Sequence, residues 1–324
     1  MRQVGAGEFI YKEVRPWGQL PQGWTAEDAP AVAVDSRDRV YVVTRHKDGV
    51  VVLDRDGNLL TSWTSDLFKR PHGICIGPDD AVYVVDDWAH SLHKFTADGR
   101  LLMTIETRDH PSDTGYVVGR HDSVRRAGPP FNQPTTVALS PEGDLYVSDG
   151  YGNARVHRFS PDGRLLFSWG EPGDGPGQFA IPHGVWIDRD GRVYVSDRLN
   201  ARIQVFSPHG EYISQWEGVH YPDYLCIDAE DNVYVAELGS IYLGHLVQKL
   251  VLGQMPARVT VRDLNGRVLA EWGEEDPFGT GRYFAPHGIA VDSDGDIYVS
   301  ETPATYTLGE APSDWGVIRK YTRI

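Results

Sequence analysis

One pattern recurs six times along this chain and leaves it few folds to choose from: a short apolar run, a tight polar turn, then a run resembling Val-Tyr-Val. The first runs read EDAPAVAVD (27–35), KRPHGICIG (69–77), NQPTTVALS (132–140), AIPHGVWID (180–188), HYPDYLCID (220–228) and FAPHGIAVD (284–292). The second runs are VYVVTR, VYVVDD, LYVSDG, VYVSDR, VYVAEL and IYVSET, and a third and usually a fourth alternating run follow. Trp63, Trp169, Trp216 and Trp272 close four of the units. Six four-stranded units in a ring make an all-β, six-bladed propeller, and the repeat overrides the two-domain expectation that length alone gives.

The expected organisation is one propeller domain over 1–324, with blades at about 27–65, 69–105, 132–170, 180–217, 220–273 and 284–324. The last unit is one strand short, and EFIYKEV (8–14) has no other place. That strand is therefore expected to complete the last blade and join the two ends of the chain.

Composition sets limits. The 35 glycines and 21 prolines suit a protein of turns and short strands, and the formal net charge of −15 argues against nucleic-acid or anionic-membrane partners. Cys75 and Cys226 fall inside apolar runs and read as buried thiols, not a disulfide framework. With no apolar stretch near ~20 residues and no hydrophobic leader at the N-terminus, the expectation is a cytoplasmic protein with no membrane partner.

The aligned units can be read by column. Pro-His-Gly stands at 71–73, 182–184 and 286–288, so His72, His183 and His287 occupy alternate units. Pro30, Thr135 and Asp223 fill the same column in the other three. Alternation around six blades gives the imidazoles threefold symmetry about the axis, at one mouth of the central channel. A single histidine before glycine reads as a structural residue of the repeat, but three on one ring position form a metal-ligand set. Zinc takes three neutral imidazoles at ~2.0–2.1 Å and leaves a position open, and other divalent first-row ions accept the same donors.

The end of the second strand lies beside the start of the first. That column brings Arg45, Asp87, Gly150-Tyr151, Arg198, Leu238 and Thr302 to the same mouth. Arginine suits a carboxylate, and tyrosine near a cation is a candidate base because opposite charge favours the phenolate. Tyr151, Arg45 and Arg198 are thus the catalytic candidates, and Arg45, Arg198 and Asp87 the substrate-binding ones, for a small carboxylate-bearing molecule. The acidic column Asp86, Asp149, Asp197, Glu237 and Glu301 reads as structural, as do Arg155 and Arg202; the nine other histidines are assigned no chemistry. Insertions at 105–131, 238–259 and 302–315 fall on the same face and are candidate walls or lids.

The stretch 129–208, with FNQPT, YVSDGY, GQF-x-x-PH and DR-x-x-x-RIQ in order, resembles the catalytic core of the peptidyl-α-hydroxyglycine α-amidating lyases, which are NHL-repeat propellers. The resemblance implies a zinc ion on His72, His183 and His287, Tyr151 as base, and Arg45 and Arg198 near the substrate. It also implies cleavage of an N-acyl-α-hydroxyglycine to an amide and glyoxylate. It does not extend to the family's structural calcium, whose Asp after the third histidine is Gly288 here, nor to the Met two residues before that histidine, here Ala285, nor to the cysteine after Tyr151, here Gly152. A related cleavage of another small hydroxy-acid derivative fits as well as peptide amidation. Two alternatives stay open: a lactonase-like metal-dependent hydrolase, and a non-catalytic NHL propeller serving as an interaction platform.

Overall fold

The computed structural model of the chain describes residues 3–24, 27–45, 49–107, 109–240, 255–273, 283–307 and 316–324. The six expected blades are present as antiparallel sheets, five of them running from the axis outward in chain order and the sixth taking its outer strands from the N-terminal segment. Blade two is typical, with strands Pro71–Ile76, Val82–Asp86, Ser91–Phe95 and Leu101–Glu106. The innermost strand of every blade touches the innermost strands on both sides, so the ring closes.

Closure uses the N-terminal segment as the repeat requires. Strand Phe9–Val14 pairs antiparallel with Ile318–Arg323, with Tyr11 opposite Arg323 and Val14 opposite Lys320. Gln3–Ala6 adds a further outer strand to that blade.

Why the repeat reads Asp-turn-Val-Tyr-Val follows from local hydrogen bonds. Asp35, Asp188, Asp228 and Asp292 each accept backbone N–H groups two and four residues on, which fixes the turn. Their other oxygen accepts the hydroxyl of Tyr41, Tyr194, Tyr234 or Tyr298 at 3.1, 3.0, 2.9 and 2.9 Å. In these four blades the tyrosine thus ties the second strand to its own turn while its ring packs between blades.

Apolar residues on both faces of each sheet are buried because every blade is sandwiched by its neighbours. Cys75, Tyr83, Val85 and Leu92 of blade two, for example, meet Val137, Leu145, Val147 and Phe159 of blade three. Three of the closing tryptophans reach forward: Trp63 packs at a tilt against Phe95 at 5.0 Å, Trp169 against Phe206 at 5.8 Å and Trp272 against Tyr321 at 5.6 Å, each in the next blade. Cys75 and Cys226 are unpaired and buried, and burial pushes the Cys75 thiol up to about 12. Both line an apolar cavity of about 100 Å³ in the channel. No helix among the described residues is long and apolar enough to cross a membrane.

Candidate metal centre and active site

The histidines are placed by the acidic column. Asp86 accepts the N–H groups of Lys69 and Arg70, Asp197 that of Ala180, and Glu301 those of Phe284 and Ala285. Each of these carboxylates therefore fixes the backbone just before Pro-His-Gly in its own blade. The backbone there is also strained: Ile181, a β-branched residue, takes φ 62° immediately before Pro182 and His183.

His72, His183 and His287 converge, with ring centroids 4.8–5.0 Å apart and one ligand atom of each within 4.8 Å of the others. The intervening column residues set their tautomer. Nδ1 of His72 lies 2.8 Å from the carbonyl of Thr135, that of His183 3.2 Å from Asp223 O, and that of His287 2.6 Å from Pro30 O. A carbonyl only accepts, so each Nδ1 carries the proton and each Nε2 keeps its lone pair. Burial first, then neighbouring positive charges, holds all three imidazoles well below their usual range and therefore neutral.

The Tyr151 hydroxyl stands 3.0 Å from Nε2 of His72 and 3.1 Å from Nε2 of His183. It has one proton for two acceptors, and a third Nε2 faces the same space. Three buried neutral imidazole lone pairs with one donor between them are the donor set a divalent transition metal takes, so the residues present fit such an ion. The donors do not distinguish zinc from its neighbours. For calcium the chemistry is poor: at 288, where the resemblance puts a carboxylate, a Cβ would lie 2.5 Å from Ser300 Oγ and 2.9 Å from Ala31 Cα.

The second column arrives at this mouth through six equivalent bonds. The N–H groups of Arg45, Asp87, Tyr151, Arg198, Leu238 and Thr302 donate to the carbonyls of Asp28, Arg70, Gln133, Ile181, Tyr221 and Ala285, two residues before the histidine column in each blade. Arg198 is 1 % exposed, its guanidinium sits 5.5 Å over the Tyr151 ring, and its Nε pairs with Asp223 Oδ1 at 2.5 Å. Arg45 pairs with Asp28 at 3.4 Å and donates to Thr305 Oγ1 at 3.0 Å. Arg198 Nη2 and Arg45 Nε are buried with no hydrogen-bond partner among the described residues.

Asp87 is placed differently from its expected part as a substrate contact. Both of its oxygens are taken by Arg70, whose Nε lies 2.8 and 3.0 Å away and whose Nη2 also pairs with it. Arg70, which the column reading passed over, stacks on Trp88 at 4.8 Å and lies 5.9 Å from the Tyr151 ring.

Asp223 was also missed as a site residue, although it is the one carboxylate in the histidine column. It is fully buried, with Oδ2 3.8 Å from His287 Nε2 and Oδ1 3.9 Å from His183 Nδ1. Burial raises it to about 7, with Arg198 working against the shift. Below the imidazoles the channel is floored by Tyr224, whose hydroxyl donates toward His72 O and Thr135 O at 3.3 and 3.2 Å.

Two insertions reach the site. Of 105–131, His121 sets its Nδ1 2.9 Å from Tyr151 O and its ring 4.9 Å from the Tyr151 ring, while Thr114 Oγ1 donates to Gly152 O at 2.5 Å. Of 302–315, helix α1 (Pro303–Thr307) brings Thr305 to Arg45 and Tyr306 to Arg198. The remainder of that insertion, 308–315, and most of 238–259 lie outside the described residues.

The NHL repeat family model matches 68–95, 131–159 and 179–206. Over 297 residues the chain is 31 % identical to peptidyl-glycine alpha-amidating monooxygenase B of Xenopus laevis, covering 86 % of this chain and 31 % of that protein. It is 30 % identical over 263 residues to peptidyl-alpha-hydroxyglycine alpha-amidating lyase 1 of Drosophila melanogaster, covering 76 % and 45 %. This chain thus spans less than half the length of either relative. Among solved structures, a streptogramin B lyase superposes with a TM-score of 0.61 at 12 % identity, covering 97 % of both chains, which is a likeness of fold.

Proposed function

We propose that this amidating-lyase-like NHL-repeat propeller is a metal-dependent carbon–nitrogen lyase, cleaving an N-acyl-α-hydroxyglycine or a related small hydroxy-acid amide to an amide and glyoxylate. The observation that carries this reading is the Tyr151 hydroxyl, 3.0 and 3.1 Å from two of three converging imidazoles and beneath the Arg198 guanidinium. A base, a metal-ligand set and a cation for a carboxylate share one buried site.

A divalent ion, zinc or a similar metal, held by Nε2 of His72, His183 and His287 supplies Lewis acidity that makes a substrate hydroxyl easier to deprotonate. Tyr151 accepts that hydroxyl proton as its phenolate, the form the base role requires. The O–H electron pair becomes the new carbonyl bond as the C–N pair withdraws onto nitrogen, which then needs a proton. Arg198 Nη2 and Arg45 Nε, buried and without partners among the described residues, are suited to the substrate carboxylate. Asp87 acts through Arg70 by holding its guanidinium beside Tyr151.

The net charge of −15 disfavours a nucleic acid or an anionic membrane as partner. Because Arg45, Arg70 and Arg198 are each matched by a carboxylate, a small anionic substrate is favoured by the donors Arg198 Nη2 and Arg45 Nε, which have no partner among the described residues, and not by a net positive charge at the mouth.

The test is glyoxylate release from simple N-acyl-α-hydroxyglycines by zinc-loaded protein, by chelated protein and by Tyr151→Phe. Release by the loaded protein, lost in the other two, is expected; full activity in Tyr151→Phe would remove Tyr151 as the base. Asp223 favours one second reading, a hydrolase, because a buried carboxylate beside His287 is a candidate base for water. Lactone opening without any glyoxylate release would select it.

A further inference from the structure

Cleavage of the C–N bond leaves one role unfilled: the amide nitrogen departs with an electron pair and is too basic to leave unless it is protonated. The donor must hold its proton while Tyr151 is accepting one. It must also stand close to the same reacting centre.

Tyr306 meets both conditions. It lies on α1, which is tied across from blade six to blade one because Asp28 Oδ1 accepts the N–H of Ala304 at 2.9 Å and that of Thr305 at 3.3 Å. The ring is 3 % exposed and packs with Tyr221, Leu238, Phe284 and Ala285. Its hydroxyl accepts a hydrogen bond from Arg198 Nη1 at 3.2 Å, and the same guanidinium stands 5.5 Å over Tyr151. Two phenols therefore share one arginine, one beside the imidazoles and one on α1. Burial raises the Tyr306 phenol above its ordinary value, and Arg198 is the leading opposing influence. Burial thus keeps the proton in place beforehand, and the adjacent cation stabilises the anion left after donation.

We propose that Tyr306 donates the proton to the departing amide nitrogen, an assignment that rests on the lyase reading of the site. The substrate hydroxyl proton passes to the Tyr151 phenolate, and the O–H pair becomes the carbonyl bond of glyoxylate. The C–N pair stays on nitrogen, and the Tyr306 proton completes the amide. Tyr306 is left as phenolate beside Arg198, and the proton held by Tyr151 returns to it as products leave, so the cycle neither gains nor loses a proton.

Tyr306→Phe keeps the packed ring and removes only the hydroxyl. Glyoxylate release is measured across N-acyl-α-hydroxyglycines from an electron-rich benzoyl group to trifluoroacetyl, with thermal midpoint and metal content as controls for folding. The variant is expected to lose about 10²-fold in kcat on the benzoyl substrate. It should lose far less on the trifluoroacetyl one, whose amide leaves with less help. A purely positioning role through Arg198 raises KM alike for every member and leaves this leaving-group dependence as in wild type, and that result overturns the proposal. Unchanged kcat throughout also overturns it while leaving the lyase reading intact. Absence of glyoxylate from wild type with every member overturns the lyase reading itself, and the donor role with it.

Discussion

The carbonyl oxygen of Thr135 accepts the Nδ1 proton of His72 at 2.8 Å and stands 2.5 Å from where a Cβ on Gly73 would lie. Asp223 O repeats the arrangement for His183 and Gly184, at 3.2 and 2.4 Å. The glycine of Pro-His-Gly is there because the next blade must come this close to orient the imidazole. Gly73→Ala is therefore expected to cost about 1–3 kcal/mol through overpacking. It should also weaken metal retention about tenfold or more by displacing the carbonyl that orients the ligand. Denaturation and chelator competition measure the two effects; destabilisation with unchanged metal retention would contradict the orienting role.

The three imidazoles make the metal-free protein acid-sensitive. Each is held well below the ordinary value of 6.5 in the folded chain. As pH falls through that value the unfolded chain takes up protons that the folded chain refuses, so stability rises with pH in this window and is lost on acidification. Urea midpoints of chelated protein should fall between about pH 7.5 and about pH 5.5, and fall less in His72→Asn.

Asp223 and Arg198 form a buried ion pair at 2.5 Å, with side chains 0 and 1 % exposed. Asp223→Ala leaves the guanidinium uncompensated and is expected to destabilise by about 3–5 kcal/mol, with Asp223→Asn less costly because it keeps polar contacts. Equal stability of Asp223→Ala and wild type in urea would show that the pair carries no structural weight.

Tyr224 separates the imidazoles from the apolar cavity of about 100 Å³ beneath them, whose wall it shares. Removing only the hydroxyl, in Tyr224→Phe, should cost about 1 kcal/mol for its bonds to His72 O and Thr135 O. Tyr224→Ala should cost about 3–5 kcal/mol by joining the two spaces. Thermal and urea denaturation of the pair of variants separates the bond from the packing.

What the sequence made legible is what recurs. The blades, the closing strand at 8–14 and the alternate histidines could be read because each residue type holds one position in a repeat, and the acidic column could be read as structural for the same reason. Arg70 escaped notice because its column, Asp28, Arg70, Gln133, Ile181, Tyr221 and Ala285, has no common chemistry. Its capture of Asp87 depends on which side chains meet in space, which no column encodes. Asp223 was visible as the odd carboxylate among histidine, proline and threonine, yet only its burial against Arg198 and His287 reveals a place in the site. His121 and Tyr306 sit in insertions that have no repeat register, so nothing in the pattern marks them.

His72 and His183 stand on blades built from contiguous chain, whereas His287 stands on the blade whose outer strand is Phe9–Val14. The blade that carries the third ligand is therefore complete only once Phe9–Val14 has paired with Ile318–Arg323. An ion on all three imidazoles would act as a latch on that pairing, favouring the closed ring by mass action. Metal occupancy would then serve as a gauge of closure: a chain shortened through residue 14 would keep two ligands on complete blades and lose the frame around the third.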